Sequence, residues 1–234
     1  MPAEAALMPF ITSANIACGG HTGDAATMQA TVARCLHYNV AIGAHPSWPD
    51  REHFGRRNLH YAAAELYAMM RSQIETLLQW VPEGKLRHVK PHGALYNQSA
   101  ADPQIAATIA RAVYDCNPAL ILFGRSGSYA CSKATALGLQ VAHEVFADRR
   151  YEADGSLTPR SHPHALITDV NEAVEQALRL VQQGTVAVRT GETIALQADT
   201  ICIHGDGANA VALTEAIHIT LQQHGIALQA RTHR

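Results

Sequence analysis

Lysine is scarce in this chain: Lys85, Lys90 and Lys133 stand beside fifteen arginines in 234 residues. The formal charge is −2. With no basic stripe and no RRM- or KH-like signature, nucleic acid is excluded as an expected partner. Long apolar runs are missing as well. "ALILF" at 119–123 is among the longest, far short of the ~20 residues that cross a bilayer, so no membrane association is expected. The N-terminal "MPAEAALMPF" carries no basic n-region and no apolar core; no secretory signal is read, and the expected compartment is the cytoplasm. Cys18, Cys35, Cys116, Cys131 and Cys202 form no C-x-x-C pair, which argues for reduced thiols over a disulfide framework or zinc ribbon. Charged residues are 16% and apolar residues 47%, the balance of a globular protein, read as one domain over 1–234.

What is present is an alternation. β-type runs at 10–17, 39–44, 86–91, 119–123, 139–146 and 199–204 are separated by helical patterns with readable ends. Asp24 is placed to cap a helix whose Met28, Val32, Cys35 and Leu36 share a face. Leu66, Met70, Ile74, Leu77 and Val81 stripe the next. Asp102-Pro103 reads as a cap followed by proline at the first helical position. Asp169 to Glu172 reads as a capping box, with a stop at Gly184. Leu213, Ile217 and Leu221 mark the last helix. Thr190-Gly191-Glu192, between two β-rich runs, predicts a hairpin. Such alternation makes a mostly parallel sheet, open or closed into a barrel.

There are 14 histidines, and their placement is informative. The strand candidates run into "CGGHTGD", "GAHPSWPD", "KPHGALYN", "HEVFADRR" and "HGDGAN". In parallel α/β folds the carboxyl ends of strands converge on the ligand-binding face, so His21, His45, His92 and His204 are expected to line one pocket. "HVKPH" is spaced like a metal pair, but on a strand His88 and His92 lie roughly 13 Å apart at about 3.3 Å per residue. One ion binds both only if the chain turns at Pro91. Lys90 has the same parity and is the more useful neighbour of His92. His143-Glu144 is not H-E-x-x-H, because Ala147 occupies the second position. A divalent metal held by residues from different strands, drawn from His45, His92 and His204, stays open. Arg57, Arg149 and Arg160 suit a carboxylate or phosphate. Neither a complete P-loop nor a G-x-S-x-G elbow is found.

Taken together, "TSANIACGGHTGD", "AIGAHPSWPDREHFGRRN", "HVKPHGALYN", "EVFADRRYEADGSLTPRS" and "ADTICIHGD" closely resemble the LamB/YcsF family of 5-oxoprolinase A subunits, in order, from about residue 4 to about 225. The resemblance implies a β/α barrel related to polysaccharide deacetylases and glycoside hydrolases. It implies ATP-dependent opening of 5-oxoproline to L-glutamate, ADP and phosphate, together with two further subunits. The family usually begins with a strand carrying Asp-Leu-Asn and Asp-Leu-Gly-Glu. Here only Met1 to Ala6 precede the matching segment, so the barrel is expected to be incomplete at its N-terminal strand and open to self-association. Gly20 stands where an aromatic residue is usual.

For that reaction the expected catalytic residues are Asp148 or Glu144 as general base, with His45, His92 and His204 moving protons or orienting water. Asn15 and His21 face the ligand. Lys90, Arg57, Arg149 and Arg160 bind anionic groups, and Asp206 and Asn97 orient their neighbours. Two other readings follow from the same residues: a metal-dependent deacetylase or amidohydrolase acting alone, and a non-catalytic binding subunit.

Overall fold

The computed structural model describes residues 2–205, 207 and 209–231. Along the chain, helix α1 (Pro2–Leu7) and a 3-10 turn (Met8–Phe10) lead to β1 (Ser13–Ala17), α2 (Ala25–His37), β2 (Ala41–His45), α3 (Ala63–Leu78) and β3 (Leu86–Val89). Then come α4 (Gly93–Ala101), α5 (Pro103–Cys116), β4 (Ile121–Arg125), α6 (Tyr129–Ala136) and β5 (Gln140–Phe146). The chain continues through α7 (Val170–Gln183), β6 (Thr185–Ala187), β7 (Thr193–Ala195), β8 (Thr200–Cys202) and α8 (Ala210–Gln223). The hydrogen-bonded strand order is β1-β2-β3-β4-β5-β8, and its recorded pairings are parallel. This is the mostly parallel α/β architecture implied by the alternation. The chain divides into two compact units.

The larger unit is Thr12–Ala142 with Ala230 and Arg231. Each of β1 to β4 pairs with the next strand in sequence. Helices return the chain to the same end of the sheet, and their termini are built as the residue types dictate. Asp24 accepts from Thr27 N at 2.8 Å while Thr27 Oγ1 takes up the Asp24 N–H, a complete capping box. Asp102 accepts from the backbone of Gln104 and Ile105 at the start of α5. The expected stripes are buried: Met28, Val32 and Cys35 on α2, Leu66, Met70, Ile74 and Leu77 on α3. Each such aliphatic side chain contributes about 1.5–3 kcal/mol by leaving water. Leu36, expected on the same face, is instead 43% exposed.

The second unit joins the N-terminal residues up to Ile11 with His143–Gln229. Here β5 and β8 pair in parallel, with Phe146 opposite Cys202. The hairpin is present: β6 and β7 are antiparallel, and Val188 N–H reaches Glu192 O at 2.9 Å. Asp169 caps α7 through Glu172 N, and Gly184 closes it at φ 63°. Ala173, Ala177, Leu213, Ile217 and Leu221 form the core between α7 and α8.

Candidate functional site

In the larger unit β1, β2 and β3 are neighbours in the sheet and end at one side. Their continuations deliver His21, His45 and His92. Pairing persists past the strands: Lys90 N–H bonds Ala44 O at 2.9 Å and His92 N–H bonds Pro46 O at 2.8 Å. The chain thus stays extended past Pro91, and His92, itself extended, is the residue before α4.

The three rings form one cluster. His21 stacks on His92 with centroids 3.7 Å apart, and His92 meets His45 edge-on at 4.8 Å. His92 Nδ1 lies 3.0 Å from His45 Nε2. Each ring offers a nitrogen within 4.8 Å of the others, a grouping able to hold a metal ion. The set differs from the one expected: His21 takes the place of His204. His21 is buried. Burial, then the charges of His92, Arg51 and Arg56, bring its pKa down to about 3. His45 is held well below the ordinary 6.5, first by desolvation and then by His92, Lys90 and His21. Both rings are neutral at pH 7.

The loop 48–57 walls this cluster. Arg51 straps it to the His21 turn by donating to Gly19 O at 3.1 Å and to Gly23 O. Arg57, expected to bind an anion, pairs with Asp50 at 2.8 Å. Phe54 takes a left-handed φ of 55°, which aims its carbonyl at His92 Nε2, 2.9 Å away. For a non-glycine residue that conformation costs about 1–2 kcal/mol. Gly55 follows at φ 67°, where a Cβ would press on His21 and His92 at 3.0 and 3.1 Å.

Two supports carry no signal in the sequence. Ser47 Oγ lies 2.9 Å from His21 Nδ1. Buried Gln73, on α3, clamps Ser47 by accepting from its N–H at 2.9 Å and donating to its carbonyl at 2.7 Å. This clamp also fills the space beside Gly20, whose Cβ would fall 2.6 Å from Ser47 Oγ. Beneath the cluster His88 packs over Gly43, stacks on Phe123 at 4.1 Å and meets Asn15 Oδ1 at 3.0 Å. Asn15 thus engages His88. Buried Lys90 has its ammonium 5.6 Å from the Tyr96 ring centroid, and Asn97 is exposed on α4.

The second unit holds a different arrangement. The parallel register that sets Phe146 opposite Cys202 carries forward two residues to Asp148 and His204. Asp148 Oδ2 accepts from His204 Nδ1 at 2.8 Å and from its N–H at 3.0 Å. Asp148 Oδ1 is buried with no hydrogen-bond partner among the described residues. Burial would raise the Asp148 pKa, but the His204 hydrogen bonds and charge, with Arg149, hold it below the ordinary 3.8. Glu144 is buried on β5. Arg149 is buried too, donating to Thr158 O at 2.7 Å, and burial lowers its pKa to about 10. Arg160, with Arg150, Ser161, His162 and His164, lines a cavity of about 470 Å³. Asp206 lies outside the described residues.

The family model of LamB/YcsF matches residues 1–234 of this sequence. The chain belongs to the LamB/YcsF family. Among its relatives, the 5-oxoprolinase A subunit of Shouchella clausii is 52% identical over 96% of this chain and 89% of its own length. The protein of the same name from Bordetella parapertussis is 48% identical, over 97% and 91%. The crystal structure of a lactam utilization protein from Thermus thermophilus superposes with a TM-score of 0.90 at 38% identity. The match covers 97% of this LamB/YcsF chain and 92% of that one. Among the described residues no helix is long and apolar enough to cross a membrane.

Proposed function

We propose that this chain is the A subunit of an ATP-dependent 5-oxoprolinase, a cytoplasmic enzyme assembled with two further subunits. The observation that carries the reading is the 52% identity, over 96% of the chain, to a protein bearing that name. A five-membered lactam is a poor electrophile. Attack of its carbonyl oxygen on the γ-phosphorus of ATP releases ADP and turns that oxygen into part of a leaving group. Water then adds at the activated carbon, the C–N bond breaks, and a second water hydrolyses the acyl phosphate to glutamate and phosphate.

In this reading the histidine cluster holds attacking water by its lone pairs, since neutral imidazoles in a desolvated setting accept well but carry no charge. Asp148 fixes the tautomer and orientation of His204, the pairing used for proton transfer. Glu144 stands as the alternative general base, and Lys90, Arg149 and Arg160 supply positive charge for the anionic groups.

Glutamate release from 5-oxoproline and ATP tests this, for the chain alone and with two partner subunits. Release only from the mixture is expected. No release from a mixture whose partners are known to be active contradicts the reading. Release by the chain alone without ATP favours a second reading, metal-dependent amide hydrolysis, which the three clustered histidines motivate.

A further inference from the structure

The outer nitrogens of the cluster dictate what its inner nitrogens carry. A carbonyl oxygen only accepts, so the ring nitrogen facing it must bear the proton. His45 Nδ1 faces Lys90 O at 2.6 Å, which leaves a lone pair on its Nε2. His92 Nε2 faces Phe54 O at 2.9 Å, which leaves a lone pair on its Nδ1. These two nitrogens confront one another at 3.0 Å. With no hydrogen on either inner nitrogen, the contact is lone pair against lone pair. His21 obeys the same logic one step removed. Ser47 Oγ donates to Trp48 O at 2.9 Å, so it accepts from His21 Nδ1–H, and the His21 lone pair remains on Nε2.

We propose that His21 Nε2, His45 Nε2 and His92 Nδ1 bind one divalent transition-metal ion, zinc by ligand type, with an open position for water. Three imidazoles with outer N–H groups fixed by carbonyls and a hydroxyl form the donor set and supporting shell of an open zinc site. The 3.0 Å gap is close to the roughly 3.3 Å between ligands of a tetrahedral ion with bonds of about 2.0–2.1 Å. All three ring nitrogens fall within 4.8 Å. Closing onto the ion requires His21 to tilt out of its 3.7 Å stack on His92. Gly55, with no side chain to press on either ring, leaves room for that tilt. The inference concerns binding alone and does not depend on the oxoprolinase reading; it adds to that reading a ligand for the attacking water.

The test is made on the full chain after chelator dialysis. Zinc is titrated against a chromophoric chelator, and cobalt is followed by its visible ligand-field bands. One equivalent is expected. His45→Ala and His92→Ala abolish it, and His45→Gln does so if the alanine variant fails to fold. Ser47→Ala keeps all three ligands and lowers affinity about 10–100-fold. His162→Ala with His164→Ala, a pair on the other unit, leaves stoichiometry and affinity unchanged. Three results overturn the proposal: no stoichiometric uptake, uptake indifferent to His45 substitution, or uptake lost with His162 and His164. None of these bears on ATP-dependent glutamate release, so failure here and failure of the reaction assignment are separately visible.

Discussion

The histidine cluster of the larger unit and the His204 pair of the other are built in opposite ways. In the larger one, three rings are tied at their outer nitrogens to Lys90 O, Phe54 O and Ser47 Oγ. In the other, the His204 ring is tied to the carboxylate of Asp148. Neutral partners and burial fix a tautomer and leave a lone pair, which suits ligation. A buried carboxylate also fixes a tautomer, but it stabilises the positive ring formed when a proton is taken up. The same side chain thus becomes a ligand in one setting and a proton carrier in the other. Partner chemistry makes the difference.

Breaking each arrangement in turn sharpens this contrast. The largest effect is expected from His45→Ala, which removes one of the three clustered rings. Turnover of the assembled enzyme falls on the order of 10³-fold or more, read as glutamate release per mole of chain. Asp148→Asn comes next, with a loss of about 10²-fold and full metal stoichiometry retained. Its pH dependence carries a sign. The Asp148 pKa is held below its ordinary 3.8, so its stabilisation is present above that value and is lost as pH falls through the folded pKa. Asp148→Asn removes this component, and thermal melts below about pH 4 should lose less stability on acidification than those of the parent.

Gly43→Ala probes the floor of the cluster. A Cβ there would sit 2.0 Å from His88 Nε2, and overpacking of this kind costs about 1–3 kcal/mol. The midpoint of thermal unfolding should drop by several degrees. Asp102→Ala is the smallest and serves as the reference, since it touches neither arrangement. Losing the α5 cap costs about 1 kcal/mol, with turnover and metal stoichiometry unchanged.

Much of this was legible in the sequence. Strand–helix alternation fixed the class because its signal is local: period, caps and turn residues lie within a few positions of one another. Asp24, Asp102 and Gly184 terminate helices as expected. The rule that parallel strand ends converge brought His21, His45 and His92 together, since β1, β2 and β3 are neighbours. The expected metal set held His204 because all strand ends were treated as equivalent; His21 was left out of it although β1, which leads to it, is the sheet neighbour of β2. The supports were illegible for a different reason. Lys90 and Phe54 act through backbone carbonyls, a group every residue has. Gln73 reaches Ser47 from a helix 26 residues away, with nothing local to mark it. Arg57 read as a free cation because its pairing with Asp50 depends on how loop 48–57 folds. The helix α4 was also missed, since "GALYNQSAA" opens on glycine and lacks a clean apolar stripe.

Nitrogen-15 NMR of the imidazole rings tests the central claim most directly, because it reports which nitrogen of each ring bears hydrogen. In zinc-loaded protein the account predicts His21 and His45 protonated at Nδ1 and His92 at Nε2, with the remaining nitrogen of each shifted by the metal. An imidazolium at His92 that persists with zinc present, or protons on the inward nitrogens, would contradict it.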